Sequence, residues 1–274
     1  MIDFRNPEIG RCAGLRRCGG ALLCAGLFFM TMLLSGCKGQ QAEAYNASVQ
    51  AGVSYLQSLE QIDPDTVTQK LREQRLEKLQ AERAEREQAL LDNLDSVWQE
   101  FSDAAILGDS RAVGFSYYSF LDESRVLAST GERIDAIDEH LDELKTLDPA
   151  YIFLCYGIND LGWYASASDY AAAMQEKIQL LQKTLPDAVI VVSSILPARE
   201  PAISREALWK QIPSYSEAVR EICAQCGALY ADNTQLSEDH ADLWQPDGVH
   251  LLPEFYPYWA ANLIIASWGE IADA

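Results

Sequence analysis

From residue 104 onward the chain alternates two hydrophobic rhythms. Short continuous apolar runs occur at 104–107, 125–128, 151–155 (Tyr151-Ile152-Phe153-Leu154-Cys155), 188–192 (Ala188-Val189-Ile190-Val191-Val192) and 228–230. Between and after them lie amphipathic stretches near 134–146, 168–184, 204–226 and 254–268. Apolar runs without polar alternation suit strands covered on both faces, and helices between them supply parallel crossovers. Leu185-Pro186 and Gly227 stop helices just where the next strand must start. The pattern predicts an α/β domain over 102–274, a three-layer α/β/α sandwich around a parallel five-stranded sheet. In such sheets, ligand sites form beyond the carboxyl ends of the strands.

The N-terminal third follows other rules. Arg11, Arg16 and Arg17 precede an apolar, small-residue run from Gly19 to Leu34, shorter than the roughly 20 residues a spanning helix needs. A basic segment, an apolar segment and small residues at its end describe a secretory signal over 1–36. Its end, Leu34-Ser35-Gly36-Cys37, resembles a bacterial lipobox, which implies lipidation of Cys37 and a chain held at the outer face of the cytoplasmic membrane. The other reading is an uncleaved anchor helix, which also leaves the remainder tethered outside. Residues 37–62 are polar and small, with too few large apolar residues to fold alone, and read as a flexible tether. Asp63-Pro64 then provides an N-cap and a proline at the first helical position. A charged helical stalk follows over 63–101. Its apolar stripe lapses between Gln80 and Glu87, which argues against a sustained coiled coil. Its last two turns are expected to pack on the domain, and its surface is a candidate for contacting a partner.

Composition narrows the function. The 274 residues carry 41 acidic and 21 basic side chains, a formal charge of −20. Such a chain is a poor nucleic-acid binder, because phosphate binding needs a basic surface. With the signal removed, 17 basic residues face 39 acidic ones, so the acidity belongs to the tether and mostly to the α/β domain. That surface suits neutral substrates as well as plain solubility. Of seven cysteines, only Cys155, Cys223 and Cys226 lie beyond Cys37, too few for a disulfide scaffold. Cys223-Ala-Gln-Cys226 is a lone pair, read best as two small half-buried residues at a helix end.

Chemistry gathers at the expected strand ends. The first strand ends Gly108-Asp109-Ser110, the second is followed by Ser129-Thr130-Gly131, and the third ends Tyr156-Gly157-Ile158-Asn159-Asp160. The loop before the last helix reads Pro246-Asp247-Gly248-Val249-His250. Ester cleavage needs a hydroxyl, a base that titrates near neutrality, a carboxylate to hold that base in the right tautomer, and N–H donors for the oxyanion. The chain has three histidines. His140 falls on an acidic helix and His240 in a surface loop. His250 has Asp247 three positions earlier, so one loop can supply base and orienting carboxylate together.

These four blocks, in this order and at successive strand ends, resemble those of the SGNH (GDSL-like) hydrolases over roughly Ala104 to Trp268. The resemblance implies a flavodoxin-like fold and a serine esterase without cofactor or metal. Ser110 would be the nucleophile, His250 the general base and acid, and Asp247 its orienting group. The Ser110 and Gly131 amides and the Asn159 side chain would form the oxyanion hole. Asp109 is expected to hydrogen-bond within its turn. The chain departs from the family at Arg111, where the family name implies Leu, and that side chain would face substrate or solvent. The second block also lacks a glycine-rich context. Trp163 and Tyr164, with Tyr117, Tyr118 and Trp244, are aromatics placed to line a cleft rim, where they would stack on sugars, line an acyl pocket or simply pack.

The function expected is an exported ester hydrolase acting on acylated small molecules or glycans. Acyl transfer to a glycan hydroxyl shares the same acyl-enzyme. A non-catalytic surface binding or assembly module, with the stalk as its working part, is a reading of a different class.

Overall fold

The computed structural model describes residues 25–61, 63–269 and 271, with side chains from 43 onward. The expected signal over 1–36 lies largely outside the described residues, and the Cys37 side chain lies wholly outside them. The N-terminal helices are α1 (Ala25–Glu60), α2 (Pro64–Asp92) and the single turn α3 (Val97–Glu100). The strands are β1 (Ala104–Gly108), β2 (Val126–Ala128), β3 (Tyr151–Cys155), β4 (Val189–Ser193) and β5 (Leu229–Ala231). Among and after them run α4 (Ser110–Tyr117), α5 (Leu141–Leu147), α6 (Ala167–Thr184), α7 (Ala202–Arg205), α8 (Ile212–Cys226), α9 (Thr234–Asp239) and α10 (Tyr256–Ser267).

The chain divides into two compact units, Met1–Leu71 and Arg72–Ala274. In the first, α1 is helical through Glu60 and exposed from Glu43 onward, where the sequence suggested an irregular tether. The reason is local. Ala, Gln and Glu around 40–51 favour a helix, and a helix satisfies its own backbone without needing a core. Among the described residues, no helix is long and apolar enough to cross a membrane.

In the second unit all five strands are parallel, in the order β2-β1-β3-β4-β5. Residues alternate between two cores, as a pleated strand requires. Ala105, Leu107, Ile152, Leu154, Ile190 and Val192 join one, covered by α5, α6 and α8. Ala104, Ile106, Phe153, Cys155 and Val191 join the other, under α3, α4 and α10.

Helix boundaries differ from the sequence reading where a local stop intervenes. The stretch 204–226 breaks into α7, a 3-10 turn and α8, with Pro213 in the first turn of α8. The stretch 134–146 opens as a 3-10 turn, Ile134–Asp138. The stalk also ends sooner as a continuous helix, at Asp92, before a turn at Leu94–Ser96. Its docking on the domain begins further back than two turns. The Arg83 guanidinium donates to the carbonyls of Ile265, in the last turn of α10, and of Gly269, just beyond it. Arg86 stacks on Trp268 at 4.1 Å and pairs with Glu100, and Leu90 enters the second core. These residues make the C-terminal half of α2 part of the domain.

Candidate active site

The strand order reverses between β1 and β3, and the crevice at such a switch point is where open α/β sheets bind ligands. Ser110 follows β1 there as the first residue of α4, so its N–H has no carbonyl partner within the helix. Asp109 caps the helix by accepting from the Arg111 amide at 3.0 Å. The Asp109 carboxylate is wholly buried, and Arg111, 3% exposed, answers its charge across 3.4 Å while donating to the Leu196 carbonyl at 2.7 Å. Arg111 therefore faces neither substrate nor solvent. A buried carboxylate cap needs a buried cation, and the residue two positions on supplies it.

The loop after Trp244 carries the remaining chemistry. His250 Nε2 lies 3.0 Å from Ser110 Oγ, and His250 Nδ1 lies 2.6 Å from Asp247 Oδ2. Asp247 Oδ1 accepts from the amides of Val249 and His250 at 2.8 and 3.0 Å, so the carboxylate organises the loop and the imidazole together. Burial acts to raise the Asp247 pKa. The hydrogen bonds from His250 and the two amides outweigh it, and the net direction is down. An ionised Asp247 fixes the proton on Nδ1 and leaves Nε2 bare to accept from the Ser110 hydroxyl. This is the geometry of an activated nucleophile.

Contacts from the β4 side hold the loop. Gly248 has φ +78°, and a Cβ there would stand 2.4 Å from the Arg199 carbonyl oxygen. The Arg199 amide donates to the Gly248 carbonyl at 2.8 Å, and Arg205 of α7 donates to the Asp247 carbonyl at 2.7 Å. Nothing in the spacing of Arg199 or Arg205 announces these roles.

On the opposite side, Asn159 donates from Nδ2 to the Glu132 carbonyl at 3.0 Å, which fixes its side-chain plane and leaves its second amide hydrogen for another acceptor. Its neighbour Asp160, fully buried, accepts from the Ile134 amide at 3.2 Å. Two consecutive residues after β3 thus clasp the loop after β2. Burial pushes the Asp160 carboxyl up to about 7, although the Ile134 amide pulls the other way. Asp160 was legible as an acid beside Asn159, but its role as a clasp was not. Gly131, in the clasped loop, is exposed with φ +83°, and a Cβ there would meet nothing within 4 Å.

The aromatics divide. Trp163 is 63% exposed, with the Arg133 guanidinium stacked 3.9 Å from its ring centre. Tyr164 is half-buried against Tyr170 at 5.7 Å and serves the core. Trp244 is buried, donates to the Pro197 carbonyl and carries Arg199 on its ring. Tyr117 is 76% exposed at the end of α4. His140 pairs with Glu132 at 3.4 Å, and His240 stacks on Tyr258 at 3.9 Å, both apart from Ser110. Cys223 and Cys226 are free thiols on the last turn of α8, and burial pushes the Cys223 thiol up to about 12.

Comparison with known proteins covers this same region. The model of the GDSL-like lipase/acylhydrolase family matches residues 106–256, more than half of the chain. No curated protein matches by sequence. Among solved structures, a GDSL-like lipase from Bacteroides thetaiotaomicron is 16% identical with a TM-score of 0.51, over 62% of this chain and 89% of that one. A lipase/acylhydrolase from Enterococcus faecalis is 14% identical (TM-score 0.48; 59% and 93% covered), as is an acetylxylan esterase from Geobacillus stearothermophilus (0.46; 61% and 97%).

Proposed function

The chain belongs to the GDSL-like lipase/acylhydrolase family and is a serine ester hydrolase. From that premise we propose that Ser110, His250 and Asp247 cleave acyl esters, O-acetyl groups of glycans among them, on a chain lipid-anchored through Cys37 outside the cytoplasmic membrane.

The observation that carries the triad is the relay of two short contacts, 3.0 Å from Ser110 Oγ to His250 Nε2 and 2.6 Å from His250 Nδ1 to Asp247 Oδ2. Ser110 Oγ attacks the ester carbonyl as its proton passes to His250 Nε2, and Asp247 stabilises the imidazolium. The oxyanion is met by the Ser110 amide at the positive end of α4, the Gly131 amide and the free hydrogen of the Asn159 amide. When the intermediate collapses, the leaving alkoxide takes the proton from Nε2 and an acyl-Ser110 remains. A water, deprotonated by the same nitrogen, then releases the acid and restores Ser110.

A fluorophosphonate probe should label wild-type protein at Ser110, and Ser110→Ala should abolish both labelling and hydrolysis of p-nitrophenyl acetate. Wild-type protein that shows neither refutes the reading. The anchor rests on the Leu34-Ser35-Gly36-Cys37 sequence. It predicts that fatty-acid labelling in a bacterial host is lost in Cys37→Ser, with the protein released from the membrane fraction.

A further inference from the structure

Beside the Ser110–His250 pair lies a cavity of about 280 Å³, walled by Val113, Gly114 and Tyr117 of α4 together with Tyr118 and Gln245. Its position relative to the reacting atoms assigns it. Neither Asn159 nor Gly131, the donors proposed for the oxyanion with the Ser110 amide, lines this cavity. The oxygen that leaves must reach His250 Nε2 to collect its proton. That requirement aims the alcohol half of the substrate past His250 into this cavity.

The walls describe that alcohol. His250 is the sole Asp, Glu, Lys, Arg or His residue in the lining, so nothing there pairs with a phosphate, carboxylate or ammonium. Polar and aromatic surfaces alternate instead. Gln245 Nε2 donates to the Tyr118 hydroxyl at 3.1 Å, and Tyr118 donates to the Leu251 carbonyl, a fixed polar rim. Tyr117 is held by its neighbour, with ring centres 5.1 Å apart and planes at 75°. An edge-on contact of this kind orients the Tyr117 ring without covering both its faces.

Helical spacing adds a length. Ser110, Val113, Gly114 and Tyr117 stand at i, i+3, i+4 and i+7 on one face of α4. Seven residues advance the helix by about 10 Å, longer than one pyranose ring. A sugar bearing its ester at Ser110 takes up the near part of that length, and it is the next ring that meets Tyr117.

We propose that Tyr117 is the stacking platform of an alcohol-side subsite for the sugar adjacent to the esterified one, so that the substrate is a neutral acylated oligosaccharide. This rests on the hydrolase reading above. The stacking contact is absent for a monosaccharide and present from the disaccharide upward.

The test uses O-acetylated xylose, xylobiose and xylotriose, with the N-acetylglucosamine series of the same lengths, and p-nitrophenyl acetate as a reference ester without a second ring. For wild type, kcat/KM should rise about tenfold from monosaccharide to disaccharide in at least one series, the step a contact of roughly 1.4 kcal/mol produces. In Tyr117→Ala that step should vanish, and the ratio of disaccharide to aryl-ester kcat/KM should fall by the same factor, mostly through KM. Tyr117→Trp should keep the step. A wild type active on the aryl ester but indifferent to chain length in both series, or a Tyr117→Ala variant that retains the step, overturns the subsite alone. A wild type inert on every ester and unlabelled by fluorophosphonate overturns the hydrolase reading, and the subsite with it.

Discussion

Two loops frame Ser110, and each turns on a glycine with nearly the same backbone angle, φ +83° at Gly131 and +78° at Gly248. Their surroundings are opposite. Around Gly248 the backbone of the neighbouring loop is pressed close, the Arg199 carbonyl sits where a side chain would begin, and Asp247 gathers three hydrogen bonds from its own loop. Gly131 stands in open space, and its loop is held from outside by Asn159 and Asp160. His250 is oriented by Asp247 of its own loop, whereas the Gly131 loop is held by Asn159 and Asp160 of another. The difference fits the chemistry. A proton relay needs a fixed imidazole, and a donor pair drawn from two strands needs a bond between those strands.

That contrast can be broken most completely at the relay. His250→Ala should lower kcat by about 10⁴ or more, with folding intact by circular dichroism, because the nucleophile then has no base. Gly248→Ala comes next. It combines a disfavoured φ with a clash against backbone, so kcat should fall by about 10² or more and stability by about 2 kcal/mol in chemical denaturation. Retention of wild-type kcat would show that the loop is not rigid. On the other side, Asn159→Ala removes one donor and one clasp, and kcat should fall by about 10²–10³ with little change in KM.

Asp160 sharpens the comparison through pH. Its carboxyl holds a proton to about 7 in the folded protein, whereas in the unfolded chain it ionises near 3.8. Stability should therefore decline as pH rises from about 4 to 7, by on the order of 4 kcal/mol from this group. Asp160→Asn keeps an acceptor for the Ile134 amide and has no proton to lose. Its stability relative to wild type should grow across that window and level off above it, which thermal melts at pH 4 to 8 would register. An unchanged difference would place the Asp160 carboxyl in contact with solvent. The smallest effect is expected at Gly131→Ala, where only the left-handed φ opposes the methyl group, at about 1–2 kcal/mol. If Gly131→Ala costs as much as Gly248→Ala, the open surroundings of Gly131 do not matter and the contrast fails.

Much of the site could be read from residue types because its parts are local. Asp247 and His250 lie three residues apart on one loop, and Ser110 follows an apolar run directly, so a short segment implies both identity and placement. Arg111 was misread for the same reason. Its partners are Asp109, two residues away, and the Leu196 carbonyl, 85 residues away, and no local pattern distinguishes a guanidinium paired with a buried cap from one in water. Arg205, Arg199 and the Asp160 clasp escaped notice because each acts through backbone groups, and every residue carries those. The helical state of α1 was missed through a different assumption, that a segment unable to form a core must be irregular.

The sequence by itself determined the strands and their parallel arrangement, the family, and which serine, histidine and aspartate belong together. Each of these is written in periodicity or in short strings, where neighbouring residues constrain one another. Only the tertiary structure decided that Asn159 and Asp160 clasp the Gly131 loop, why Gly248 tolerates no side chain, where Arg111 is spent and which aromatics line the cavity beside Ser110 and His250. Those outcomes depend on distances between segments that the chain separates by tens of residues, and on backbone atoms that carry no sequence signature.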